Sequence, residues 1–141
     1  MKKIYPLSIV ALIIIFSSCS KDFLKSYDKR IIGTWKISYV NNIGLGGSSS
    51  NLPFNNGTLT FLSHGKLEYT SSANEIFEGK WDIVKKMQGE QSIKSLQISA
   101  VDFRSHELLT QYYDDMNFTG TNHFKATINS NFHSYVTHFD R

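Results

Sequence analysis

From residue 30 onward the chain alternates apolar and polar positions. Gly33, Trp35, Ile37 and Tyr39 fall on one face of an extended segment, with Thr34, Lys36 and Ser38 on the other. A period of two is the mark of a half-buried β-strand. Leu59 with Phe61 and Leu67 with Tyr69 repeat the pattern. It is sharpest at Phe77, Gly79, Trp81 and Ile83, where Glu78, Lys80 and Asp82 are charged and point the opposite way. Leu96, Ile98 and Ala100 follow, then an extended stretch over residues 107–118. Phe124, Ala126 and Ile128 mark a further strand, and Tyr135, Thr137 and Phe139 the last. The pattern predicts eight strands and no helix of three turns.

Reversal signals separate these runs. Asn55-Asn56-Gly57, Ser63-His64-Gly65, Gln88-Gly89, Thr119-Gly120-Thr121 and Asn129-Ser130-Asn131 all suit tight turns or short loops. Residues 44–51 are rich in Gly and Ser, which predicts a mobile loop. Short sequential connections favour an up-and-down meander. Closing the meander would remove its exposed edges. The fold expected is therefore all-β, an eight-stranded antiparallel up-and-down β-barrel. Such a barrel either packs solid or holds one small ligand.

The N-terminus follows a different pattern. Lys2 and Lys3 precede residues 4–16, which carry no charge and are dominated by Ile, Leu, Val, Ala and Phe. This is the plan of an export signal. The apolar run is shorter than the roughly 20 residues that span a bilayer. It ends in Phe16-Ser17-Ser18-Cys19, and small residues before a cysteine resemble the lipobox of bacterial lipoproteins. The resemblance implies that residues 1–18 are removed, that Cys19 carries lipid such as palmitate, and that the protein resides at the outer membrane. Cys19 is the chain's one cysteine, so no internal disulfide competes for it. Residues 19–29 then form a tether and residues 30–141 the domain.

Charge changes little in this picture. Removing eighteen of the 141 residues takes Lys2 and Lys3 away, so the formal charge falls from +3 to +1. No basic stripe suggests nucleic acid. The five histidines, at 64, 106, 123, 133 and 138, show no zinc-like spacing, though His123 and His133 fall where a hairpin would set them opposite each other. Asp114 and Asp115 are neighbours in a predicted strand, so they point to opposite faces. No motif orders a nucleophile, base and acid. The expectation is a non-enzyme with no catalytic residues, no metal site and no cofactor.

Gly33-Thr34-Trp35 at the start of the first strand is similar to the Gly-x-Trp signature of lipocalins and related barrels. Gly79-Lys80-Trp81 repeats it, and the pair looks like the small lipocalin-like lipoproteins of Bacteroidetes-type bacteria. In that resemblance the glycine permits close backbone approach and the tryptophan packs across the barrel's end beneath a basic residue, here Arg30 or Arg141. It implies a binder of a small hydrophobic ligand, with Tyr39, Tyr69, Phe77 and Phe124 among the lining residues. The alternative is a solid barrel that docks on an envelope protein or glycan, with residues 44–51 as a contact loop.

Overall fold

Alternation does produce strands, nine of them among the described residues, in a single antiparallel sheet. The computed structural model describes residues 25–141; the export signal and Cys19 lie outside the described residues. A short helix, α1 (Tyr27–Ile31), leads into β1 (Gly33–Gly44). There follow β2 (Thr58–Phe61), β3 (Lys66–Thr70), β4 (Ile76–Gln88), β5 (Gln91–Asp102), β6 (Glu107–Tyr113), β7 (Asp115–Phe118), β8 (His123–Asn129) and β9 (His133–Asp140). Residues from Ile31 to Arg141 make one compact unit.

The hydrogen-bonded order is β6-β5-β4-β3-β2-β1-β9-β8-β7. Sequential strands pair because the turns are short. Between β2 and β3, for example, His64 and Gly65 both take positive φ, 61° and 73°. β1 pairs with β2 on one side and β9, the last strand, on the other. The two arms curl around a shared core. Phe61 on β2 meets Phe124 on β8 edge-on, 6.4 Å between ring centres. Tyr113 on β6 meets Phe139 on β9 at 6.1 Å.

The stretch over residues 107–118, expected as one strand, is two. β6 pairs with β5 as far as Leu96↔Tyr113, and β7 pairs with β8 from Asp115↔Thr127. Asp114 lies between and serves both sides. Its amide donates to the Thr127 carbonyl at 2.8 Å, and its carbonyl accepts from Ser95 Oγ at 2.9 Å. Its Oδ2 accepts from the Asn129 amide at 2.7 Å. The chain changes partner at this residue. β6 and β7 are thus the two edges of the sheet, and no ladder joins β6 to β8 or β7 to β5. The expected eight-stranded closed barrel is corrected to nine strands in a sheet that hydrogen bonding does not close.

Two further expectations are corrected by register. The pairing of β1 with β9 slips between Ile37 and Tyr39, where Ser38 is the extra residue of a bulge. Tyr39 therefore leaves the face of Trp35 and stacks outside on His138, 52% exposed. His123 stands opposite Asp140, not His133, and His133 pairs with Gly44 at the other end of β9. Residues 103–106 form a turn.

Candidate functional site

One end of the core is filled by aromatic rings. Phe124 stacks on Phe139 at 4.2 Å and takes the edge of Trp35 at 4.7 Å, and Phe61 meets Trp81 at 5.8 Å. Each such pair contributes about 0.5–1.5 kcal/mol beyond its area. Trp35 is fully buried and its Nε1 donates to the Ile31 carbonyl at 2.6 Å. Arg141 closes this end. Its guanidinium lies 4.2 Å over the Trp35 ring, and its Nη2 donates to the Ile32 carbonyl. A side chain at Gly33, whose φ is +125°, would press on that guanidinium. Of the two basic residues considered, Arg141 is the one on Trp35; Arg30 lies over Tyr27 instead. In the second Gly-x-Trp, Trp81 Nε1 donates to the Leu62 carbonyl at 3.0 Å. Gly79 lies so close to β5 that any side chain there would collide with the Ser99 carbonyl.

Beside these rings the interior also holds polar groups. Among the described residues three buried polar atoms have no hydrogen-bond partner: the Tyr113 hydroxyl, the Thr137 hydroxyl and Gln111 Oε1. Gln111 and Tyr113 lie two apart on β6, hence on one face, opposite the buried Ile98 and Leu96. Burial pushes the Tyr113 phenol well above its ordinary range, with the nearby Thr137 hydroxyl offsetting part of the shift. Leaving a buried polar group unpaired costs about 1–3 kcal/mol. Native interiors hold few of them, and two of the three, the Tyr113 and Thr137 hydroxyls, are neighbours.

The segment before β2 packs against Tyr69, a residue that also acts electrostatically on Tyr113. Phe54 is fully buried and lies edge-on to Tyr69, 4.9 Å between centres. The Tyr69 hydroxyl donates to the Asn56 carbonyl at 3.0 Å, and the Ile37 amide to the Gly57 carbonyl at 3.0 Å. Burial, then the Glu75 charge, raise the Tyr69 phenol. Just upstream, Asn42 Nδ2 donates to the carbonyls of Gly46 and Gly47, tying down part of the loop expected to be mobile.

Of the four residues expected to line a ligand, Tyr69 and Phe77 are buried together here, 5.6 Å apart. Phe124 belongs to the aromatic end, and Tyr39 faces outward. Sequence reasoning missed Gln111, Thr137 and Phe54. Thr137 carried a signal, because a hydroxyl stood at an inward position between Tyr135 and Phe139.

Two further features lie on the outer surface. An open groove of about 620 Å³ runs over β3 and β4, with His64, Lys66, Glu68, Glu78, Lys80 and Phe103 among its walls. On the face of β8 and β9, Asp140 accepts from Ser38 Oγ and pairs with His123 Nδ1 at 2.5 Å. The carboxylate stands between the two, so the histidine is not placed to take the serine's proton. Bonding from Ser38, then from His123, holds the Asp140 carboxyl below its usual range. Among the described residues no group of three or more His, Cys, Asp or Glu is arranged to hold a metal ion, and no helix is long and apolar enough to cross a membrane. No family model matches this chain, and no curated protein or solved structure matches it significantly.

Proposed function

We propose that this chain is a lipid-anchored envelope protein, held through Cys19 at the outer membrane, whose domain binds a small hydrophobic molecule carrying one or two polar groups. The binding region is the interior beneath residues 52–57. The observation that carries this reading is the trio of unpartnered polar atoms on Gln111, Tyr113 and Thr137. An apolar body would lie among Tyr69 and Phe77, and a hydroxyl or carbonyl would satisfy the trio. Phe54 would have to swing aside for entry. The Arg141–Trp35 stack at the far end supports the lipocalin-like reading, in which one end is sealed and the other admits the ligand.

The test is native mass spectrometry of the purified soluble domain, residues 20–141, repeated after adding long-chain alcohols and the matching alkanes. A retained mass that survives with alcohols and not with alkanes supports the reading. No retained compound under either condition overturns it. Separately, intact mass of the full protein reports whether Cys19 carries lipid.

The aromatic packing favours a second reading, a solid domain that docks on an envelope protein or glycan through its surface. The groove beside Lys80 and Phe103 is then the contact site. Cross-linking from position 103 in intact cells would recover one specific neighbour.

A further inference from the structure

The outer face of β3 and β4 carries its charges in two opposed rungs. Register sets Lys66 on β3 directly opposite Lys80 on β4, and Glu68 opposite Glu78. All four are exposed and point away from the core, because Leu67, Tyr69, Phe77 and Trp81 on the same strands are buried in the alternate phase. Like charges directly opposite destabilise a sheet. Diagonal pairs, Lys66 with Glu78 and Lys80 with Glu68, would relieve that cost. Yet none of the four side chains forms an ion pair or hydrogen bond among the described residues.

The acidic rung runs on into apolar positions. Glu78 lies opposite Val101 on β5, and Val101 opposite Leu108 on β6, which is 66% exposed. Phe103, just past the end of β5, is 69% exposed. Val101 and Phe103 wall the groove of about 620 Å³ together with the four charged residues, and a smaller hollow of about 130 Å³ lies between Lys80 and Leu108.

One concave patch thus holds a basic rung, an acidic rung and an apolar side. Such a patch is complementary to itself. A two-fold axis lying along the face, at right angles to the strands and midway between the rungs, lays the glutamate rung of a second copy over the lysine rung of the first. Lys66 then meets the partner's Glu68 and Lys80 the partner's Glu78, and each contact is made twice. The same axis keeps Val101, Leu108 and Phe103 on the side where the partner's apolar residues lie. A partner of one charge would satisfy one rung and be repelled by the other.

We infer that this face holds a second copy of the chain, in an isologous dimer whose lysine and glutamate rungs interlock. The inference rests on the second reading's use of the groove as a contact face and names the partner there; it needs neither the lipid nor an interior ligand. Exposed ion pairs add little affinity one by one. The apolar side supplies the attraction, and the rungs fix the register and exclude other partners.

The experiment is sedimentation velocity of the full protein in density-matched detergent, over a range of concentrations, with unlipidated residues 20–141 run in parallel to show that micelles do not create the dimer. Wild type should show a monomer–dimer equilibrium in both, weakened by high salt. Lys80→Glu sets carboxylates face to face at both symmetric contacts, and Glu78→Lys does the same with ammonium groups. Each should weaken the dimer at least about ten-fold. Within one copy each change turns a like-charge rung into an opposite one, so neither should lower the melting temperature. Mixing the two variants, or combining them in one chain, restores opposite charges at both contacts and should restore the dimer. A wild type that stays monomeric, a single variant that dimerises as wild type does, or a mixture that stays monomeric overturns the inference. A monomeric wild type that still cross-links from position 103 to one foreign neighbour overturns the dimer and leaves the second reading standing.

Discussion

Replacing Thr137 by Val separates the two readings of the interior. The side chains are nearly the same shape, so the change removes a buried hydroxyl and leaves packing intact. That hydroxyl has no partner and the residue is fully buried. Removing an unsatisfied buried group recovers about 1–3 kcal/mol. The compact unit Ile31–Arg141 unfolds with an entropy of roughly 0.23 kcal/mol/K, at about 2.1 cal/mol/K per residue. A gain of about 1–3 kcal/mol therefore raises the melting temperature by about 4–13 °C in ligand-free protein. Tyr113→Phe should act likewise. With ligand bound the sign reverses, because each variant deletes a contact, and the stabilisation that ligand gives wild type should shrink. The assay is differential scanning calorimetry of both variants and their double mutant, with and without the retained compound. If both variants destabilise the ligand-free protein, their hydroxyls are partnered there, and the reasoning is refuted. A strong coupling in the double mutant would name the partner as each other.

Asp114→Ala removes the acceptor for the Asn129 amide at the point where the sheet changes partner. Stability should fall by about 1–2 kcal/mol, the net value of a hydrogen bond to a charged acceptor near solvent, and hydrogen exchange should quicken at Asn129 first. Arg141→Ala should cost about 1–2 kcal/mol through the lost stack and the freed Ile32 carbonyl, while Arg141→Lys recovers less than half, since an ammonium cannot lie flat on the indole. Stability should also fall as pH drops below about 6.5, the ordinary histidine value. Burial, then the Lys125 charge, depress His138, so the unfolded chain takes up its proton first. Thermal melts from pH 7 to 5 should slope less in His138→Gln. A second loss should begin below about pH 4, where the unfolded chain takes up the protons that native Asp140 and Asp102 resist, and continue down through their lowered native pKa values.

Much of the sheet was legible because alternation reports burial directly. Phe77, Trp81, Leu96, Ile98, Phe124, Ala126 and Phe139 are all inward and buried, as their spacing required. The turns were legible for a separate reason, since Ser63-His64-Gly65 has few other backbone options than a reversal. What alternation cannot show is a slip of one residue. Ser38 gives no local warning of a bulge, yet it turns Tyr39 from a lining candidate into a surface residue. Asp114 is the same problem on a larger scale. The run over residues 107–118 looks continuous because the whole of it is extended; the break is one of partners, and partners are fixed by distant strands.

The candidate site was less legible than the core for a related physical reason. Apolar residues announce burial by type, whereas Gln111, Tyr113 and Thr137 are as common outside as inside. Their meaning comes from being buried and unpaired together, which depends on β6 and β9 being brought near across the curl of the sheet. The same curl explains why the edges matter. β6 and β7 are exposed as edges only in the hydrogen-bonding sense, since Asp114 joins them covalently and reaches to β5 and β8 on either side. An incoming strand would have to displace those contacts to add to either edge. The protein thus limits edge-to-edge association without a closing ladder, and the seam at Asp114 is where that economy is most exposed to a single substitution.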